Sequence, residues 1–290
     1  MAGLDQGRAV LMQLRIVHTT GYEYDGGATA SYNEARLTPA TSAEQIVVHS
    51  RLDITPTPWT YSYRDYFGTQ VAAFEVNEPH DSLRVTAVAT VHTNRPAPAP
   101  PALAWSEVLS DEVADRQCEY LAMDALVQPP DDLAQAVRAI AAKARRPGAA
   151  ARQICALVHA EVTRVPVTVD SLTPASEAWQ LRSGICRDIN HVVIGALRSV
   201  GIPARYVSGY AHPDPEPAVG TTVSGQAHCW VEWWDARWRG YDAVRDEPVS
   251  NRHIGIAAGR DYRDVRPLSG IYSGGNTSEM FVDVQITRLA

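Results

Sequence analysis

The chain has 290 residues, 45% of them hydrophobic and 20% charged, with a formal net charge of -7. That length suits two cores better than one, and the balance is that of a globular protein, not of a disordered, collagen-like or disulfide-stapled chain. An acidic balance without a lysine and arginine cluster gives no electrostatic basis for binding nucleic acid or an anionic membrane, so neither is expected as a partner.

From Met1 to Val17 no apolar run is flanked by a basic segment and a small-residue cleavage site, and nowhere do about 18 apolar residues follow one another. The expected location is the cytoplasm. From Leu14 to Asn94 the runs Leu14–His18, Ile46–Ile54 and Leu83–His92 alternate or are β-branched, and Gly, Pro and Asp clusters separate them. This pattern predicts an antiparallel β-sandwich over residues 13–95. The run Arg95-Pro-Ala-Pro-Ala-Pro-Pro-Ala lacks side chains to pack and N–H groups to pair, so residues 96–104 read as a stiff linker.

Residues 105–290 read as an α+β domain. Trp105–Asp115 and Cys118–Val127 suggest short helices, and Asp131–Arg145 sets Leu133, Val137, Ile140 and Ala144 on one face with Asp131 as N-cap. Ala149–Val162 continues the helical pattern, and Thr173 with Pro174 opens a helix through Leu181. From Cys186 to Val200 the apolar positions Ile189, Val192, Val193, Ala196, Leu197 and Val200 predict a helix with a wide buried face. Strand-like segments follow at Ala204–Tyr210, His228–Trp234 and Trp238–Ala243, interrupted by the loop-like stretch Pro213–Gly225, and a last apolar run covers Met280–Ile286.

The four cysteines, Cys118, Cys155, Cys186 and Cys229, lie far apart with no C-x-x-C pair, which argues against a zinc site and a disulfide framework. Cys118, Cys155 and Cys229 read as buried small hydrophobes. Cys186 differs because it opens a helix. A thiol attacks a carbonyl as thiolate, and the N–H groups and dipole at a helix N-terminus favour that charge. The same N–H groups suit the oxyanion of a tetrahedral intermediate, and Gly184 offers a sharp backbone entry to the helix. The nucleophile also needs an imidazole, and the imidazole a group that fixes its tautomer. His228 begins one strand and Asp242 ends the next, with Asp235-Ala-Arg between them as a hairpin. Residue order alone leaves many other Cys, His and Asp sets open.

Ser183-Gly-Ile-Cys-Arg-Asp-Ile-Asn-His191, with Leu197 to Tyr210 after it, resembles the core motif of the bacterial transglutaminase-like superfamily, which has a papain-like α+β fold. Ala227-His-Cys-Trp-Val-Glu232 is similar to that family's histidine strand and Trp238-Arg-Gly-Tyr-Asp242 to its aspartate strand. Ala258 to Gly270 and Tyr272 to Gly275 resemble its tail, and His18–Tyr24, Ser31–Pro39 and Asp65–Val71 resemble its N-terminal β domain.

The resemblance implies Cys186 as nucleophile, His228 as base and Asp242 as the orienting group, with neither cofactor nor metal. Its substrate would be the amide, peptide or thioester carbonyl of a peptide, protein or small molecule. Hydrolysis through an acyl-thioester is the leading expectation. Transfer of the acyl group to an amine is the nearest rival, and an inert binding protein, betrayed by a broken triad, the third.

Two departures bear on the pocket. Asp242 is followed by Ala243-Val-Arg-Asp246 where the family commonly has Asp-Pro-Thr-Asn, and Gln-Asp-Phe-Ala-His becomes Arg187-Asp-Ile-Asn-His191. Arg187 and Arg245 are thus candidates for contacting substrate beside the cleft, as is Trp179, whose indole N–H suits an oxyanion although packing is its plainer role. Asp188 and His191 are expected to support the nucleophile helix, and Arg260 to Asp264 to form a buried ion-pair turn. No acidic loop of the calcium-binding kind occurs.

Overall fold

The structure, a computed structural model, describes residues 11–95, 100–166, 172–275 and 277–290. Residues 96–99 of the expected linker lie outside the described residues.

Six strands come first: β1 (Met12–Ala28), β2 (Ala30–Ala35), β3 (Gln45–Thr55), β4 (Trp59–Arg64), β5 (Gln70–Val76) and β6 (His80–Thr93). In β1 the even positions Leu14, Ile16, His18 and Thr20 are buried, the period of two that a strand with one covered face requires. Six helices and two short strands follow: α1 (Trp105–Val108), α2 (Asp111–Arg116), α3 (Asp131–Lys143), α4 (Pro147–Glu161), then β7 (Thr163–Arg164), α5 (Ala175–Leu181), β8 (Ser183–Gly184) and α6 (Cys186–Arg198). The chain then returns to strands: β9 (Ala204–Ala211), β10 (Thr222–Gly225), β11 (Ala227–Trp234), β12 (Trp238–Asp242), β13 (Glu247–Pro248), β14 (His253–Gly259), β15 (Leu268–Ser273) and β16 (Ser278–Arg288).

Three larger sheets result, with orders β10-β16-β1-β6-β3, β15-β2-β5-β4 and β13-β12-β11-β9-β14, besides the parallel pair β7-β8. The first two sheets enclose Tyr24, Phe74, Val76, Leu83, Val85 and Leu268 and form the antiparallel sandwich that the sequence led us to expect. It draws strands from both ends of the chain. β16 runs antiparallel to β1 from Arg288 opposite Leu14 to Ser278 opposite Tyr24, β15 lies against β2, and β10 against β16. The expected division into 13–95 and 105–290 does not follow this pairing. The N–H and C=O groups of a central strand point to both sides and each needs a partner, and local sequence does not reveal which distant strand supplies it.

α6 is the central element. All its residues from Arg187 to Arg198 are buried. One apolar cluster joins Val192 and Leu197 of α6 to Leu133, Ile154 and Tyr206, and reaches into the first sheet at Leu14, Ile16, Val91 and Ile286. Polar groups also stitch the two halves. Gln45 donates from Nε2 to the Gly255 carbonyl at 2.8 Å and accepts the Gly255 N–H at 2.9 Å. Thr93 Oγ1 donates to the Asn251 carbonyl at 2.6 Å.

Two expected helices come out differently. Trp105–Asp115 is divided at Ser110, whose side chain caps α2 by accepting the Val113 N–H. Cys118–Val127 holds a tight helical turn at Cys118–Tyr120 and a second turn after Asp124, not a continuous helix. Asp124 accepts the Leu126 N–H at 2.9 Å, a local side-chain bond that competes with helix, and Cys118 is exposed, not core. Pro130 takes the cap position expected of Asp131, which becomes the first residue of α3, where a carboxylate still suits the dipole. Among the described residues no helix is long and apolar enough to cross a membrane.

Candidate active site

Cys186, His228 and Asp242 converge. Cys186 Sγ lies 3.6 Å from His228 Nδ1, and His228 Nε2 lies 2.6 Å from Asp242 Oδ2. Cys186 is the first residue of α6 and only half-buried. The start of that helix is fixed by Asp188, whose carboxylate accepts the Ile185 N–H at 3.1 Å. Gly184 serves this cap and not a sharp backbone entry, because a Cβ there would stand 3.0 Å from Asp188 Cβ. The left-handed residue before the helix is Arg182, with φ of 52°.

Strand register delivers the other two groups. Val231 of β11 pairs with Tyr241 of β12, which sets Asp242 opposite Trp230. His228, two residues along β11, then shares its face and sits diagonally from it.

Asp242 is fully buried. Its Oδ1 accepts the N–H groups of Val244 at 3.1 Å and Arg245 at 3.2 Å. Its Oδ2 accepts from His228 Nε2 at 2.6 Å, Arg245 Nη1 at 2.8 Å and His253 Nε2 at 3.4 Å. The network assigns the tautomers. His253 Nδ1 accepts the Ser250 N–H at 3.1 Å, so its proton is on Nε2. His228 carries its proton on Nε2 toward Asp242, which leaves the Nδ1 lone pair facing the sulfur. Arg245 Nη1 also stands 2.8 Å from His228 Nε2. Both are donors, and Asp242 Oδ2 is their common acceptor.

Burial pushes the Asp242 carboxyl up, yet the hydrogen bonds from His228 and His253, the His228 charge and the Arg245 bond outweigh it and hold the group well below the usual carboxylate range. Burial lowers His228, and the negative charge of Cys186 with the Asp242 hydrogen bond reverses this, raising it to about 9. Burial pushes the Cys186 thiol well up, Cys229 adds to this, and His228 opposes. The last two directions favour opposite charge states of one pair. The position of Cys186 at the N-terminus of α6 stabilises a thiolate, which fits the raised His228 beside it.

The other candidates divide. Arg245 reaches the site, but its guanidinium is turned onto Asp242 and not into a cleft. Arg187 is buried, stacked 4.7 Å over the Tyr262 ring and 3.5 Å from Asp188 Oδ1, so it adds no charge beside the cleft. Trp179 is buried and its indole N–H donates to Asp132 Oδ2 at 2.8 Å, with the Arg182 guanidinium 3.9 Å over the ring. That N–H is not aimed at an oxyanion, and the packing role prevails. His191 accepts the Tyr262 N–H at 3.2 Å and docks the tail onto α6. Of the expected ion-pair turn only Asp261 is buried, held by Arg263 at 2.6 Å, whereas Arg260 pairs with Asp264 on the surface.

Sequence reasoning missed two participants. His253 had no signal beyond a histidine in a strand-like run. Asn190 did have one, a polar residue on a buried helix where the family pattern carries alanine. Its Nδ2 donates to the Cys186 carbonyl at 2.8 Å and the Cys229 carbonyl at 3.2 Å, and lies 3.2 Å from Cys229 Sγ and 3.7 Å from Cys186 Sγ. Facing two carbonyl oxygens, that atom must be the amide nitrogen. It ties α6 to β11 behind the nucleophile.

His228, Asp242 and His253 bring one ligand atom each within 4.8 Å of one another. The donor set does not fit a metal: the Arg245 guanidinium already places a cation 2.8 Å from both His228 Nε2 and Asp242 Oδ2.

A thiol, an imidazole and a buried carboxylate thus meet across a helix N-terminus and two strands of an α+β core. Two family models match this chain: the bacterial transglutaminase-like N-terminal region over residues 14–92, and the transglutaminase-like superfamily over residues 134–243. An uncharacterized protein of Mycobacterium leprae (strain TN) is 39% identical over 280 residues, 97% of this chain and 100% of the relative. Another, of Mycobacterium tuberculosis (strain ATCC 25618 / H37Rv), is 32% identical, covering 94% of this chain and 91% of the relative. A protein-glutamine gamma-glutamyltransferase of Pseudomonas aeruginosa is 31% identical over 106 residues, 33% of this chain and 16% of that enzyme. A crystal structure of a Cytophaga hutchinsonii protein, provisionally described as a cysteine protease, shares the fold with a TM-score of 0.77 at 22% identity, over 97% of this chain and 91% of the other. The chain belongs to the transglutaminase-like superfamily.

Proposed function

We propose that this protein is a cysteine-dependent hydrolase of amide or peptide bonds that works through an acyl-thioester on Cys186. The observation that carries the proposal is the continuous path from Cys186 Sγ through His228 to Asp242, at 3.6 Å and 2.6 Å. His228 Nδ1 holds the proton given up by Cys186, and the thiolate attacks the carbonyl carbon. The oxyanion forms beside the first N–H groups of α6. The tetrahedral species collapses, the C–N bond breaks, and the amine leaves with the proton from Nδ1. Water then gives a proton to Nδ1 and its oxygen to the thioester carbon, releasing the acid and restoring the thiol. Throughout, Asp242 holds the proton on Nε2 and supports the imidazolium.

The same acyl-enzyme reacting with an amine would make the protein an acyltransferase. The similarity of one third of the chain to a glutamine gamma-glutamyltransferase favours keeping that second reading. The assembled triad disfavours an inert scaffold. All four cysteines are free thiols, which suits a reducing compartment, and we retain the cytoplasm as the proposed location.

Competitive alkylation tests the site. With limiting iodoacetamide near neutral pH, mass spectrometry should find Cys186 labelled ahead of the exposed Cys118, and His228→Ala should abolish the difference. Labelling of Cys118 first would end the proposal. Ammonia or amine release from peptide amides, with and without added amine, then separates hydrolysis from transfer.

A further inference from the structure

We propose that the outer face of the second sheet is a docking surface for an arginine-bearing segment of a partner protein, separate from the cysteine site and independent of its chemistry. The register of four strands builds this face. Ile271 of β15 pairs with Tyr32 of β2, Tyr32 with Glu75 of β5, and Glu75 with Trp59 of β4. Paired residues share a face of a sheet, so these four side chains form one row across it. In the next row Ala73 lies between Glu34 and Tyr61, and its small side chain leaves a groove of about 490 Å³ between the larger ones.

The exposures are unlike those of an ordinary surface: Tyr32 52%, Trp59 68%, Tyr61 56% and Ile271 72%. Single exposed apolar residues are common, but three aromatic side chains and an isoleucine lining one groove mark a surface that something covers.

Charge selects the occupant. Glu34 is already satisfied, accepting the Tyr63 hydroxyl at 2.6 Å and pairing with Arg36 at 3.0 Å. Glu75 has no side-chain partner among the described residues, and the rings of Tyr32 and Trp59 flank it on both sides. An apolar occupant would bury that carboxylate unpaired, which is unfavourable, and a phosphate backbone would be repelled by it. A guanidinium answers both features, since it bonds a carboxylate through its edge and stacks on an aromatic ring through its plane. Lysine offers a point charge without the plane. The chain's net charge of -7 adds long-range attraction for a basic partner.

Fluorescence anisotropy on the full chain tests this with a short fluorescein-labelled peptide of alternating arginine and serine. Trp59→Ala and Glu75→Gln should each weaken Kd by about fivefold or more. The off-face variant Glu112→Gln should leave it unchanged, and a lysine version of the peptide should bind more weakly than the arginine one. Trp59 and Glu112 are exposed and Glu75 is half-buried, and an unchanged melting temperature verifies the folding of each variant. No measurable binding of the arginine peptide would overturn the proposal, as would binding that survives both face variants. A neutral oligosaccharide binding more tightly than the peptide would overturn it in favour of a glycan. Sedimentation showing self-association that Trp59→Ala abolishes would overturn it in favour of a second copy of this chain.

Discussion

Arg245 grips Asp242 from two sides, its backbone N–H donating to Oδ1 at 3.2 Å and its guanidinium Nη1 to Oδ2 at 2.8 Å. Because His228 bonds the same Oδ2 at 2.6 Å, the guanidinium draws off part of the carboxylate's pull on the imidazole. Arg245→Ala should therefore raise the proton affinity of His228. The His228 titration, followed by NMR of its ring protons and expected near 9, should move upward by about half a unit. A downward move would show that the guanidinium does not compete.

Asp242→Asn should be far more damaging. An amide in that position can donate to His228 Nε2, which drives the imidazole proton onto Nδ1, facing the sulfur it has to deprotonate. Turnover should fall by at least about a hundredfold. The melting temperature should fall too, because Arg245 and His253 lose their shared acceptor. Activity within a factor of about two of the parent, in a variant that is folded, would remove Asp242 from the mechanism.

Stability should depend on pH in a direction set by buried histidines. Burial lowers His18 to about 4 and His191 to about 3. In the unfolded chain both take up protons as pH falls through about 6.5, whereas the folded protein resists until pH 4 for His18 and pH 3 for His191. Their contribution is thus intact above pH 6.5 and is lost on acidification, about 3 kcal/mol for His18 by pH 4. His228 acts oppositely. Raised to about 9, it contributes stability that is fully present below 6.5 and lost as pH rises through 9. Urea midpoints should peak near pH 6.5, and His18→Gln should flatten the acidic side. An unaltered acidic slope in that variant would contradict the assignment.

Gly195→Ala should destabilise the protein although alanine is the better helix former. A Cβ at this position in α6 would stand 1.7 Å from the Val127 carbonyl oxygen. Propensity offers about 1 kcal/mol in favour, while forcing a helix away from a backbone carbonyl opposes it by about 3 kcal/mol or more. Chemical denaturation gives the sign directly, and a gain in stability would show that the packing can yield.

The site was legible wherever chemistry is tied to local pattern. Cys186 announces itself through the apolar periodicity of the helix it opens, and His228 and Asp242 through adjacent strands joined by a short hairpin. Long-range partners were not legible. Arg245 and Trp179 are residue types suited to substrate binding, but whether each faces a cleft or a carboxylate, Asp242 for one and Asp132 for the other, depends on contacts with residues far along the chain or on the exact turn after β12. His253 is brought to Asp242 by the pairing of β14 with β9, which no local pattern specifies. The sandwich was readable from alternation, yet its closing strands were not, because alternation reveals a strand and not its neighbour.

β16 occupies the position between β1 and β10 in the first sheet, so opposite ends of the described chain zip onto one another and the stretch from α1 to β14, apart from β10, is looped out between them. The helical half is in effect a guest held by a β host. A chain severed near residue 104 would leave β1 and β2 with bare edges ready to recruit foreign strands, and tension applied at the start of β1 and the end of β16, which lie side by side, would unzip that ladder before it reached the cysteine.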